Sequence, residues 1–400
     1  MRLGIDRLLA DGGLRKPLLG RRVALLGHPA SVNHVGRHSL DALMALGGLD
    51  ITAAFGPQHG MRGEKQDNMV ESGDYTDPLH GIPVFSLYGD VRYPTEAMLD
   101  TFDVLLVDLQ DIGTRIYTYV TTLAYVLEAC ANHSKAVWVL DRPNPAGRPI
   151  EGSFLEPGWE SFVGAGPLVM RHGLTLGELA GWLVKHKGLR LDLRVVEMEG
   201  YDPDAGPGYG WPRDEIPWVN PSPNASSLNM ARCFPGTVLL EGTTLSEGRG
   251  TTVPLEIMGA PQIDICRLLK RMESLQAEWM QGALVRCCGF EPTFHKHQGR
   301  LCHGIQIHTD SIHYQHRRFT PYRLTALLLK ALRLEYPDYA IWRDFAYEYE
   351  TDRLAIDLLS GGTFLREWVD DATATPADLD DRLTPDETLW REQRRPFMLY

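Results

Sequence analysis

The stretch LDITAAFGPQHGMRG, Leu49–Gly63, joins a short apolar run to a loop crowded with glycine, proline, glutamine, histidine and arginine. The first part, Leu49 to Ala54, reads as a buried strand, and Phe55 to Gly63 as a loop that turns sharply while holding several polar groups together. The same unit recurs on both sides. Arg22–Leu26 runs into GHPASVN, Phe102–Leu109 into QDIGTR and Ala136–Leu140 into DRPNPAG, with another strand at Pro83–Leu87. Leu40, Leu43, Met44 and Gly47, and later Val120, Leu123, Ala124 and Leu127, fall at helical spacing between these strands. Apolar strands alternating with amphipathic helices predict an α/β fold, a parallel sheet covered on both faces.

A helix over Thr175–Lys187 and a strand over Leu191–Met198 extend this sheet. From Glu199 to Gly250 the texture changes to Gly, Pro, Trp and Asn, which predicts a long shaped loop without regular elements. Beyond it, a helix at Ile263–Leu275, strands at Ala283–Cys287 and Gly304–His308, and a leucine stripe at Leu324, Leu327, Leu328 and Leu332 predict a second, smaller α+β domain. A chain of 400 residues exceeds what one core of roughly 250 to 300 residues organises, so two domains are expected, 1–240 and 241–400, with a cleft between them.

The net charge of −12 argues against a nucleic-acid partner, since binding to phosphates needs a concentrated basic face and the sequence shows none. The acidic run from Asp370 to Glu387 reads as solvated surface. No window approaches the roughly 18 uninterrupted apolar residues of a membrane span. Met1–Arg22 reads without an apolar leader, so a cytoplasmic setting is expected, and six scattered cysteines need no disulfide framework there. The sequence leaves room for a homo-oligomer.

Loops at the carboxyl ends of parallel strands share one edge, so their polar residues converge: His28 and Asn33; Gln58, His59 and Arg62; Gln110, Asp111, Thr114 and Arg115; Asp141, Arg142 and Asn144. DLQDIGTRIYTY adds Tyr117 and Tyr119 at the start of a helix, where Asp111 is equally explained as a cap and Arg115 as its ion pair. WVNPSPN, Trp218–Asn224, joins an aromatic platform to amides, equipment suited to a sugar ring. EGTTLSEGRGTT, Glu241–Thr252, sets Glu247 and Arg249 on either side of a glycine and matches no phosphate-binding fingerprint. HKHQGRLCH, His295–His303, fits no zinc spacing, so no metal is expected.

FGPQHGMRG, GIPVFSLYG, DVLLVDLQDIGTRIYTY, VLDRPNPAG, MRHGLTLGELA, PWVNPSPN, FPGTVLLEGTTLSEGRGTT and GAPQID, in this order, closely resemble the exo-β-N-acetylmuramidase family of glycoside hydrolases over about Leu3 to Leu359. The resemblance implies a Rossmann-like N-terminal domain without a nucleotide, a smaller C-terminal domain, and an active site between them needing no metal or cofactor. It also implies a small carbohydrate or muropeptide substrate. Many members carry FGPEHG, with the glutamate proposed as a catalytic acid, whereas this chain has Gln58. An amide neither donates nor accepts a proton at neutral pH. The carboxylates expected to replace it are Glu64, Asp111 and Glu247, with Gln58 and His59 positioning sugar or water. Arg115 and Arg249 suit the lactyl carboxylate of muramic acid, and Arg62, Tyr119, Asn144, Trp218 and Asn224 complete the expected substrate contacts. The first expectation is therefore an intracellular glycosidase acting on N-acetylmuramic acid or a related amino sugar. The alternative is a sugar-binding protein that lost its acid.

Overall fold

A computed structural model describes residues 1–400 apart from Glu64, Gln66, Asp67, Asn68 and Asp214. Among the described residues, twelve strands form three sheets: β1 Arg22–Gly27, β2 Asp50–Gly56, β3 Tyr75–Thr76, β4 Pro83–Ser86, β5 Val104–Asp108, β6 Ala136–Leu140, β7 Glu151–Phe154, β8 Val169–Arg171, β9 Leu193–Val196, β10 Ile257–Ala260, β11 Leu284–Phe290 and β12 Cys302–His308. The main sheet has the order β3-β4-β2-β1-β5-β6-β9 and is parallel except for the short edge strand β3. β7 pairs with β8, and β10-β12-β11 form an antiparallel sheet in the second half.

The apolar runs are continuous because each central strand feeds two cores. Ala24 and Leu26, Leu105 and Val107, and Val137 and Val139 enter one layer, while Val23 and Leu25, Val104 and Leu106, and Trp138 and Leu140 enter the other. Helices Tyr119–Asn132 and Leu176–His186 cover the first face, and Gly4–Ala10 and Ser39–Leu46 the second. Thr175, expected to begin its helix, instead caps it, accepting from the Glu178 amide while the Glu178 side chain accepts from the Thr175 amide.

Two expectations about the later chain are corrected. The segment 199–250 contains the helix Leu228–Thr237, started by the Ser227 cap, and the 3-10 turn Val238–Gly242. Its sequence conceals the helix because Pro235 and Gly236 sit inside it. A Cβ on Gly236 would lie 1.9 Å from the Pro321 carbonyl oxygen, so glycine is what lets this helix approach the helix Pro321–Glu335. The acidic run is also more than solvated surface. It lies largely in the helix Pro376–Arg394, where Asp380 and Glu387 bind the largely buried Arg323 and where Leu379, Leu383 and Trp390 are buried.

One apolar core runs from the parallel sheet through Met230, Phe234 and Leu239 to Ile305, Ile307 and the leucines of Pro321–Glu335. The second half is thereby fixed against the edge where the strand-end loops emerge. Among the described residues no helix is long and apolar enough to cross a membrane.

Candidate functional site

Strand order reverses between β1 and β5, so a crevice opens at their carboxyl ends. Protein fills it. His28, fully buried, accepts from the Gln110 amide at 2.8 Å through Nε2, which leaves Nδ1–H directed at the Pro221 carbonyl 3.1 Å away. Burial holds this imidazole well below its ordinary pKa, consistent with a neutral, bridging histidine. Tyr119 donates to the same Pro221 carbonyl at 2.6 Å. The segment WVNPSPN is thus anchored across the crevice, and the open pocket is displaced toward β2 and the second half of the chain.

That pocket is walled by Gln58 and His59 after β2, Tyr117 and Thr118 after β5, Ser222 and Asn224 from WVNPSPN, Phe234 from the glycine-containing helix, and Glu241, Arg249, Tyr347 and Glu348 from the second half. The β2 loop folds back so closely that a Cβ on Gly56 would lie 2.5 Å from the Met61 amide nitrogen. His59 takes a left-handed backbone, φ 72°, and its Nδ1 lies 3.0 Å from the Lys65 carbonyl. Gln58 is fixed at both ends: its oxygen accepts from Thr118 Oγ1 at 2.8 Å, and its nitrogen donates to Glu348 Oε1 at 3.2 Å.

Glu348 and Glu241 were not singled out from the sequence. Glu348 is 6% exposed, and its second oxygen accepts from Tyr88 OH at 2.8 Å. Burial pushes its carboxyl up to about 7, against the opposing pull of the Tyr88 and Gln58 donors. Glu241 accepts from Arg249 Nη2 at 2.6 Å and from Tyr347 OH at 2.8 Å. Arg249 also donates through Nε to Glu247 at 3.1 Å, while its buried Nη1 has no partner among the described residues.

Several expected site residues have other employment. Glu247 is fully buried behind Arg249, 2.6 Å from Lys296 Nζ and 3.5 Å from His295 Nδ1. Burial alone would raise its pKa, but Lys296 and Arg249 hold it down at about 2, so it is a fixed anion. Asp111 accepts from the Gly113 amide at 2.6 Å and faces His172 at 3.6 Å, which makes it a turn cap outside the pocket wall. Arg115 does not pair with it. The Arg115 guanidinium is enclosed and donates to the carbonyls of Ser153, Leu168 and Leu359 at 2.9 to 3.0 Å. Arg62 is engaged by Asp41 and Asp77, and Asn144 closes its own turn on Ala146, Gly147 and Leu174.

Tyr119 lies beneath Tyr117, whose ring meets it edge-on at 4.8 Å and takes the place on the pocket wall. Trp218 packs against Trp211 and donates to the Ala225 carbonyl at 2.9 Å, lining a separate groove with Trp211, Asn229 and Val253. Of the expected contacts, Gln58, His59, Asn224 and Arg249 reach the pocket, and Glu64 lies outside the described residues. Lys296, within the histidine-rich run, is a buried cation that also donates to the Leu240 and Thr243 carbonyls. Among the described residues no group of three or more His, Cys, Asp or Glu could hold a metal ion.

The pocket therefore combines aromatic faces, neutral hydrogen-bonding groups, one unsatisfied guanidinium nitrogen and one carboxyl near its neutral form. This is equipment for a polar, anionic ligand with an apolar face, and for proton transfer.

Comparison with known proteins gives a concordant result. Residues 23–229 match the family model described as exo-β-N-acetylmuramidase NamZ, N-terminal, and residues 232–400 match its C-terminal counterpart. The chain is 39% identical over 372 residues to the peptidoglycan β-N-acetylmuramidase NamZ of Bacillus subtilis (strain 168), covering 93% of this chain and 84% of that protein. Two crystal structures of DUF1343 family proteins from Bacteroides fragilis NCTC 9343 are similar over 100% of this chain and 98% of theirs. Their TM-scores are 0.86 and 0.72, with 28% and 26% identity.

Proposed function

The chain belongs to the exo-β-N-acetylmuramidase NamZ family, and from that premise we propose that it hydrolyses the glycosidic bond of a terminal N-acetylmuramic acid in peptidoglycan fragments. The carrying observation is Arg249. Arg249 lines the pocket, two of its nitrogens are held by Glu241 and Glu247, and Nη1 is buried without a partner among the described residues. Leaving such a donor unsatisfied costs about 1–3 kcal/mol, which a carboxylate placed there recovers. Muramic acid differs from glucosamine by an O-lactyl carboxylate, so the unsatisfied nitrogen selects the sugar. Tyr117, Phe234 and Tyr347 offer apolar surface to the ring, and Thr118, Ser222 and Asn224 offer partners to its hydroxyl and acetamido groups.

The local charge is compatible with this anion. Arg249 and Lys296 balance Glu241 and Glu247, and Glu348 adds no charge while it keeps its proton. The similarity to a curated glycosidase weighs against a protein that only binds sugar. The proposed setting is the cytoplasm, where the six free cysteines stay reduced and where imported or recycled wall fragments would be met.

The test is incubation of the purified chain with the disaccharide N-acetylmuramyl-β-1,4-N-acetylglucosamine and with a chitobiose control lacking the lactyl group. Release of N-acetylmuramic acid with the control left intact is expected. Binding measured by calorimetry with no product after long incubation would overturn the enzymatic reading.

A further inference from the structure

Glycoside hydrolysis needs an acid at the leaving oxygen, and the amide at position 58 cannot supply it. We infer that Glu348 is the proton donor of this pocket, an inference that rests on the hydrolytic reading above. Its carboxyl lines the pocket beside Gln58, so that the acid arrives from the second half of the chain at the place where a glutamate on the β2 loop would otherwise present one.

The surroundings of Glu348 differ from those of a structural carboxylate. Its hydrogen-bond partners are an amide nitrogen and a phenol, both neutral, and among the described residues it makes no ion pair. With a pKa of about 7 it is populated in both forms near neutrality, the condition for giving a proton and taking one back. The charged and titratable groups around it are Tyr88 beside β4, Glu241 behind Tyr347, Arg92, and His59 and Arg249 on the same pocket wall. Of these, Glu241 raises its pKa further, and Arg92 and the two hydrogen-bond donors lower it.

The backbone is committed to this placement. Glu348 and Tyr349 both occupy the left-handed region, φ 45° and 73°, a conformation that non-glycine residues keep only when their surroundings impose it. Tyr347 and Glu350 close the turn through reciprocal backbone bonds of 3.0 and 2.9 Å. Arg92 lies 3.3 Å over the Tyr349 ring, Tyr349 OH donates to Glu71 at 3.1 Å, and the Glu348 amide donates to Met69 Sδ at 3.4 Å. Groups from the first half thus clamp a turn of the second half with its carboxyl facing the pocket. In the forward step the Glu348 proton moves to the glycosidic oxygen as the C1–O bond breaks, and the leaving sugar departs as an alcohol. A water hydroxyl joins C1, and the remaining water proton restores the Glu348 carboxyl.

Glu348→Gln tests this on two substrates. The muramyl disaccharide has a basic leaving oxygen that needs the proton, whereas 4-nitrophenyl N-acetyl-β-muramide has a leaving group that barely does. A loss of about 10²- to 10⁴-fold in kcat is expected on the disaccharide, with disappearance of the basic limb of the disaccharide's pH profile, and a far smaller loss on the nitrophenyl glycoside. Equal losses on both, or a limb that persists, would overturn the assignment. Tyr88→Phe gives a second reading should Glu348→Gln fold poorly. Removing a donor that lowers the carboxyl pKa must move the basic limb upward, and an unmoved limb rejects Glu348. Wild-type protein that releases no N-acetylmuramic acid defeats the hydrolytic reading itself, whereas active wild type with an unshifted variant limb defeats only this inference.

Discussion

Glu247 and Glu348 are both buried carboxyl groups in the second half of the chain, and they are opposites. Glu247 is surrounded by Lys296, Arg249 and His295 and is held at about 2, whereas the Glu348 carboxyl, among the described residues, is hydrogen-bonded by the amide of Gln58 and the phenol of Tyr88 and rises to about 7. Burial pushes both upward, so the difference comes from the partners: cations stabilise the anion beyond its desolvation cost, and neutral donors do not. One carboxylate fastens the Glu241–Thr252 loop to the histidine-rich run. The other keeps a proton available beside the pocket.

The largest effect expected from breaking this contrast is on stability. Glu247→Gln strands Lys296 and part of Arg249 without their anion, and a loss of about 3–5 kcal/mol in urea denaturation is expected. A Glu247→Gln protein with wild-type stability and no turnover would instead return the chemistry to Glu247.

The pH dependence of folding separates the pair next. A carboxyl whose folded pKa lies above its ordinary value contributes stability below that ordinary value and loses it as pH rises through the folded one. Glu348 therefore weakens the fold as pH climbs through about 7. Glu348→Gln should remove a decline of about 2–3 kcal/mol between pH 5 and pH 8.5, read as the difference from wild type because Asp141 and Glu151, raised to about 6 and about 7, titrate in the same window. Glu247 has the reverse sign: its contribution is present above its ordinary value and lost as pH falls toward 2. Chemical denaturation across pH, with both variants, measures the two slopes.

Arg249→Lys keeps a charge between Glu241 and Glu247 but loses the guanidinium fork. The ratio of kcat/KM for aryl N-acetylmuramide over aryl N-acetylglucosaminide should fall roughly 10- to 100-fold, in line with a charged hydrogen bond of about 1.5–3 kcal/mol. An unchanged ratio would place the lactyl group elsewhere. The smallest effect is expected for Gln58→Glu, which sets a second carboxyl against Glu348 Oε1. Two carboxyl groups that close share a proton, so the basic limb should move upward with a rate change of about tenfold or less. A larger gain would show that position 58 itself delivers the proton when it can.

Most of the parallel sheet was legible because its periodicity is local. VLLVD at Val104–Asp108 and AVWVL at Ala136–Leu140 are buried throughout, and short apolar runs bounded by turn-forming residues suit strands covered on both faces. The loop residues on the pocket wall, Gln58, His59 and Asn224, were legible for a related reason, since they follow strands or break regular structure. Arg115, Asn144 and Asp111 carry the same sequence signal yet serve turns and carbonyls, because nothing local tells a polar side chain which way it will face. Trp218 illustrates this as well, since it lines a separate groove from the pocket that Asn224 reaches.

The sequence by itself determined the alternating α/β order, the family, the place of the β2 loop and the absence of an acid at position 58. Only the tertiary structure decided which carboxyl group could take the acid's place. Gln58 and Glu348 are 290 residues apart, and AYEYE at Ala346–Glu350 reads as an unremarkable mixture of aromatic and acidic residues. A pKa depends on what surrounds the group within a few ångströms, and for a buried side chain those neighbours are assembled by folding, not by chain order.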